Sequence, residues 1–331
     1  MLRPRPVLVA ATLAFIAADP GTRLTGTAAD RPSWAAPGDA LTLVKEHRYR
    51  MNGRIRPLLA FWIGRDDVGG GTIAWKKGAD GTVAYELLIG SDPALAPGGL
   101  NRWGYIVEEV HAGDSRVLGV MSKSTEASAS EVRARLRDHP GGDQFDAILA
   151  TVTSDRSSAV VSTVQTSERL TYHDLGTLLA RLSTEPQQTK VRLATRPPQT
   201  RPGFLTSVAE LMQGHQRPGA TVAYIYNQNV YDLRLLSSEP IEIFRLGEER
   251  YTQVIRRSFE TRERISGRRT RFELVYGLNG ELAGVPIIIK YRPKWWLEVE
   301  LQLEAVHPRE TITAPETGRP AQASSPDRGP A

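Results

Sequence analysis

WWLEVELQLE, residues 295–304, is the stretch that decides how this chain folds. Leu297, Val299, Leu301 and Leu303 alternate with Glu298, Glu300, Gln302 and Glu304. A period of two sends successive side chains to opposite faces, so the segment reads as a strand with one buried and one wet face. Antiparallel sheets tolerate that arrangement, whereas parallel sheets are covered on both sides. Trp295 shares parity with the leucines and is expected in the core. Trp296 falls on the side of Glu298 and Glu300 and is expected to be exposed or half-exposed.

Working outward, candidate strands precede it at 284–291, 269–277, 250–262, 240–246, 230–237 and 220–227. The first half offers others at 42–51, 58–64, 71–77, 82–90, 102–111 and 116–122. The breaks between them carry turn chemistry: Asn52-Gly53, Asp66-Asp67, GADG at 78–81 and AGD at 112–114. Short connections favour antiparallel neighbours. The expected fold is mainly β, a long curled antiparallel sheet or open barrel with a small α-helical insertion in the middle.

That insertion is expected over 124–215, a mixed helical region. SEVRARLRD (130–138) is one helical candidate. Thr171 stands three residues before Asp174, with Leu175, Leu178, Leu179 and Leu182 following at helical spacing, a capping-box start to a second. A third, 204–212, places Leu205, Val208, Ala209 and Met212 on one face. Between the last two, 184–203 is rich in Pro, Thr, Gln and Arg and reads as a loop. Residues 30–123 and 216–307 are expected to pack together as one domain. Residues 308–331 turn to Pro, Ala, Thr and Ser and read as a disordered tail, which argues against a membrane barrel ending in its closing strand.

The N-terminus reads as an address. Arg3 and Arg5 precede an apolar run at 7–18, and Gly26, Thr27, Ala28 and Ala29 supply small residues for cleavage. The run is too short to span a bilayer, which takes about 20 apolar residues. Residues 1–29 are therefore expected to be a signal peptide, and the mature chain to be exported, periplasmic, and soluble or peripheral to the envelope. No later segment is long and apolar enough for a membrane helix. The chain of 331 residues holds no cysteine, which excludes disulfides, thiolate catalysis, cysteine-bound metal and lipidation at a cysteine. Its formal charge of +5 stays mildly positive when Arg3, Arg5, Asp19 and Arg23 leave with the leader. That supports anionic partners only weakly.

Two places resemble exported Gram-negative proteins of unknown function built on a single curled antiparallel sheet. One is a strand entering glycine, at Ile63-Gly64 or Val68-Gly69-Gly70-Gly71, followed by TIAWKKGADGTVAYELLIG (72–90). The other is the end of the chain, where a basic hairpin leads into FELVYG (272–277), GVPIII (284–289) and the final strand. The resemblance covers about half the chain and implies fold and compartment, with no activity attached.

Several constellations carry chemistry beside a plainer structural reading. Arg256, Arg257, Arg262, Arg264, Arg268, Arg269 and Arg271 crowd 256–271, with Ser266-Gly267 as the turn. Clustered guanidinium groups bind phosphate bidentately, yet the same run serves as a solvated hairpin. Trp296 offers a stacking platform for a sugar or lipid head, or simply covers a sheet edge. Tyr224 and Tyr226 flank Asn227-Gln228-Asn229, a turn whose aromatic sides could touch a ligand. Glu298 and Glu300, about 6.5 Å apart on one strand face, have the spacing of a glycosidase pair or of an ordinary wet face. Glu108, Glu109, His111 and Asp114 are the densest potential metal ligands but lack a metal-specific spacing. No GxSxG, SxxK, GxGxxG or GxxxxGK[ST] motif occurs, and no cofactor is implied.

These readings point to a non-enzymatic exported protein that binds or scaffolds an envelope component. The partner would be an anionic lipid, a glycan or an envelope protein rather than nucleic acid. The alternatives are a carbohydrate-active hydrolase using strand carboxylates and an envelope protein-assembly module.

Overall fold

The computed structural model describes residues 41–56, 63–96, 99–122, 144–184, 188–213, 216–294 and 297–304. The leader and residues 30–40, the 130–138 helix, Trp295 and Trp296, and the tail lie outside the described residues.

Fourteen strands form one antiparallel sheet. Eight follow one another outward from the middle: β1 (Leu41–Ile55), β2 (Ile63–Gly78), β3 (Val83–Ser91), β4 (Trp103–His111), β5 (Asp114–Ser122), β6 (Gln144–Val152), β7 (Arg156–Gln165) and β8 (Gln188–Thr195). The chain then crosses to the opposite edge. There β9 (Thr221–Tyr226), β10 (Asn229–Leu246), β11 (Glu249–Glu263), β12 (Arg269–Gly277), β13 (Pro286–Lys294) and β14 (Leu297–Leu303) run back inward, until β14 pairs with β1. The two arms thus meet at the middle, and β8 and β9 are the sheet's ends.

Helix α1 (Leu175–Thr184) precedes β8, and helix α2 (Phe204–Gln213) lies in the crossover from β8 to β9. Asp174 accepts from the Thr171 backbone N–H and hydroxyl, both at 2.8 Å, tying the start of the first helical segment as the capping pattern predicts.

One face of the sheet is curled around α2. A single buried cluster draws on strands from both arms, among them Tyr49, Ile89, Ile106, Ile148, Val161, Leu233, Phe259, Leu274 and Leu301, and includes Phe204 and Leu211 of the helix. The other face of β3–β7 carries a second cluster, in which Trp103, Tyr105, Leu118 and Phe145 lie beneath Leu178 and Leu182 of α1. The final strand behaves as its alternation requires: Val299, Leu301 and Leu303 are buried, and Glu298, Glu300 and Gln302 are half-buried on the other side.

Two expectations are corrected. Within 184–203, residues 188–195 are not loop but the strand β8, which pairs with β7 from Arg156↔Thr195 to Thr163↔Gln188. Among the described residues of 124–215, the strands β6, β7 and β8 stand beside the two expected helices and belong to the same sheet as the rest. Asn52-Gly53 and Asp66-Asp67 are not turns but sit opposite each other inside β1 and β2. The ladder there jumps from Met51↔Gly69 to Gly53↔Arg65. Asp67 takes a φ of 53°, and its N–H donates to the Asn52 side-chain oxygen at 3.0 Å. A bulge of this kind bends two long strands without ending them. In the same way β10 runs unbroken through Pro240 after a register shift between Leu235 and Ser237.

Candidate functional site

The crossover sequence FLTSVAELMQ carries good helix formers directly after Pro202-Gly203. Its two ends are held by side chains from different strands. Glu108 of β4 is fully buried, and its carboxylate accepts the backbone N–H groups of Leu205 and Thr206, each at 3.0 Å, and the Thr206 hydroxyl. Burial lifts the Glu108 carboxyl above its ordinary value, against the hydrogen bonds from Thr206, Leu205 and Phe204. Gly203 makes this approach possible, since a Cβ there would sit 2.2 Å from the carboxylate.

At the other end Arg257 of β11, 4% exposed, donates to the Leu211 carbonyl and to Ser238 Oγ at 3.2 Å. The Tyr276 hydroxyl donates to the Met212 carbonyl at 3.1 Å. Acceptor oxygens at the first turn and a cation at the last both complement the helix dipole.

With its ends fixed, α2 turns Leu205, Val208, Ala209 and Met212 toward a cavity of about 230 Å³. The facing walls come from β1–β3 on one side and from β12, β13 and the loop before β13 on the other. Sheet register arranges the first wall in three rungs. Lys45 lies opposite Trp75, and Trp75 opposite Tyr85; His47, Ile73 and Leu87 form the next; Tyr49, Gly71 and Ile89 the third. Exposure falls along them. Trp75 is 38% exposed, whereas Tyr49 and Ile89 are 2% and 5% exposed. The Lys45 rung is therefore the mouth, and Ile89 on the third rung marks the deep end. Behind it the Tyr49 hydroxyl donates to the carbonyl of Pro286, a residue of the facing wall, at 2.8 Å.

Polar groups in the wall are few. Lys45 Nζ donates to the Glu281 carbonyl at 2.9 Å. Glu86 is paired with Lys76 at 2.6 Å. His47 is half-buried, but both of its ring nitrogens are buried and have no partner among the described residues. Burial and the Lys45 charge lower the His47 pKa, outweighing Glu46, which raises it.

The residues singled out from sequence are dispersed. Arg257 is inside, on the helix end. Arg256 pairs on the other face with Glu239 and Glu273, at 3.1 and 3.6 Å. Arg264 donates to Asp232 at 2.6 Å, and Arg269 and Arg271 flank Glu260 at 3.7 and 2.8 Å. Arg262 is exposed, and Arg268 is half-buried beside the Ser266 turn, where its N–H donates to Ser266 Oγ. Tyr224 and Tyr226 are buried in the interior, Tyr224 stacked on Tyr231 at 5.2 Å and near Phe204 at 5.6 Å. Trp296 lies outside the described residues.

Glu298 meets Arg292 at 2.7 Å and Arg54 at 3.8 Å, and Glu300 meets Lys290 at 2.9 Å. Burial pushes the Glu300 carboxyl up, but hydrogen bonds from Gln302 and Lys290 and the Lys290 and Arg54 charges outweigh it and hold the group below its ordinary value. A general acid needs the opposite shift. Glu109 pairs with Arg116 at 3.0 Å, away from Glu108. Among the described residues no three His, Asp or Glu side chains gather as metal ligands would.

Sequence reasoning passed over Glu108 as a helix anchor, and Lys45 and His47 as cavity residues. A signal for the first exists: adjacent Glu108 and Glu109 must point to opposite faces, so one carboxylate has to enter the curled side.

No protein-family model matches the chain, and none of the curated proteins matches it. Among solved structures it is similar to the crystal structure of a β-barrel-like protein of the domain of unknown function DUF1849 from Brucella abortus. That match has 9% identity and a TM-score of 0.41, covering 78% of this chain and 95% of the other.

Proposed function

We propose that this protein is an exported, non-enzymatic binding protein of the cell envelope that encloses the apolar part of its ligand between α2 and the curled sheet. The observation that carries this reading is the cavity, with Leu205, Val208, Ala209 and Met212 on one side and Ile73, Leu87 and Ile89 on the other. A helix face of that kind ordinarily closes a core; here Leu205, Val208 and Met212 pack on the core only in part and also border open volume. The volume of about 230 Å³ lies under the roughly 300–1,000 Å³ of sites for drug-sized ligands, which favours a single chain over a two-chain lipid. The leader at residues 1–29 supports the compartment.

Energetics limit what such a cavity does alone. Burying seven methylenes yields about 6 kcal/mol at ~0.8 kcal/mol each, and association consumes about 4 kcal/mol or more. A chain without a polar anchor is therefore held weakly.

The test is titration with the apolar fluorophore N-phenyl-1-naphthylamine, followed by native mass spectrometry of protein isolated from its own envelope. Saturable uptake of one probe per chain, lost in Ala209→Trp, is the expected result. Absence of saturable uptake by the folded wild-type protein would sink the reading.

A further inference from the structure

We infer that the cavity takes a single-chain fatty acid, with the carboxylate at Lys45 and His47 and the chain running along α2 toward Ile89. This rests on the cavity reading above and names its ligand class.

Three observations converge on it. The cavity is apolar at the deep end and cationic at the mouth, since Glu86 is already paired with Lys76 while Lys45 spends one of its three N–H groups on the Glu281 carbonyl. His47, one rung below Lys45, holds two buried ring nitrogens with no partner among the described residues. Such a group is costly to leave unsatisfied, so the site is built for a polar atom that arrives from outside. Finally, Lys45 and His47 lie two residues apart on one face of β1, about 6.7 Å along the strand. A carboxylate between them can accept from the Lys45 ammonium with one oxygen and from a His47 ring N–H with the other. Charge-assisted bonds of this kind are roughly twice as strong as neutral ones. From the Lys45 rung to the rung of Ile89 the sheet covers about 13 Å, a length that suits a medium-length chain. A cationic head would meet Lys45 with like charge, and a neutral head would lose the ion pair.

The experiment compares decanoate, decanol and decylammonium, each below its micelle concentration, as competitors for bound N-phenyl-1-naphthylamine. Decanoate should displace the probe at least tenfold more effectively than decanol, with decylammonium weakest. Lengthening the acid from octanoate to decanoate should tighten binding about fourfold per methylene. In Lys45→Met and His47→Leu the decanoate-to-decanol ratio should fall toward one. Being a ratio within one variant, it is insensitive to how much of that variant is folded. If the wild-type protein binds the probe but ranks decanol or decylammonium equal to decanoate, the carboxylate assignment is overturned and the cavity reading stands. If the folded protein takes up neither probe nor decanoate, both are overturned.

Discussion

Glu108 and Arg257 hold opposite ends of one helix. The carboxylate of β4 sits on the first-turn amides of α2, and the guanidinium of β11 sits on its last-turn carbonyls. The helix has ten residues, so the two groups are about 15 Å apart and do not form a pair. Each acts on the helix dipole and on backbone groups that would otherwise be buried without partners. They come from strands in different arms of the sheet, so α2 also ties the two arms together across the interior.

That arrangement predicts an unusual double-mutant cycle. Glu108→Ala strands the Leu205 and Thr206 amides, and Arg257→Met strands the Leu211 carbonyl, each at about 2–4 kcal/mol. Sites this far apart ordinarily add. Here either substitution frees the same helix, so the double variant should cost little more than the worse single one. Urea denaturation of the four proteins measures it, and strict additivity would show that α2 stays docked by its apolar face alone.

The raised carboxyl of Glu108 has a consequence for pH. A group whose folded pKa lies above its unfolded value of about 4.5 binds more protons when folded, so its contribution to stability is greatest in acid and is lost as pH rises through the folded value. His47 works in the opposite sense, because its lowered pKa makes the folded state lose stability as pH falls below about 6.5. Subtracting Glu108→Gln from wild type at each pH isolates Glu108. The unfolding free energy of wild type relative to that variant should decline from pH 4.5 upward; a flat difference would mean that the hydrogen bonds to Thr206, Leu205 and Phe204 cancel the burial completely.

Glycines fall into two kinds that a stability measurement separates. A Cβ at Gly71 would lie 2.3 Å from the Leu88 carbonyl oxygen, so Gly71→Ala forces β2 and β3 apart and should cost about 3 kcal/mol or more. Gly81 has a φ of +89° with open space around it, and Gly81→Ala should cost only about 1–2 kcal/mol of backbone strain. Thermal unfolding of both variants checks the order.

The outer arginines of the hairpin, Arg269 and Arg271, should be nearly neutral for stability. Arg269 and Arg271 both reach Glu260, but their own side chains are 55% and 71% exposed. Solvent and salt screen such pairs, so Arg269→Ala and Arg271→Ala should each change the unfolding free energy by about 1 kcal/mol or less. Glu260→Ala, by contrast, removes the shared partner, which is only 9% exposed, and should cost more than either.

What the sequence made legible follows its periodicity. Strands with one wet face, β14 above all, could be read from alternation, and so could the helix face of Leu205, Val208, Ala209 and Met212. β6 and β7 could not, because both of their faces are covered. Phe145 and Ala147 lie on the α1 side and Ile148 and Ala150 on the curled side, and double burial erases the period of two. β8 is an edge strand whose pairing with β7, rather than its own composition, makes it a strand. The crowding of arginines was visible, but the topology divides them. Arg257 shares parity with buried Phe259 and goes inside, while Arg256 goes out. Lys45 and His47 gave no signal, since what they face is set by register with β2 and by the loop before β13.

The cavity itself sets a final prediction, in which stability and binding move in opposite directions. Ala209 stands on the helix face that meets the empty volume, flanked by Val208 and Met212. Ala209→Leu adds apolar atoms where none now pack, and filling an apolar void of this kind raises stability by about 0.5–2 kcal/mol. For a chain of this size that corresponds to a rise in melting temperature of about 1–8 °C. The same atoms occupy space that a ligand chain would take, so uptake of N-phenyl-1-naphthylamine should weaken. A melting temperature that falls while probe uptake persists would mean that there is no free volume beside Ala209.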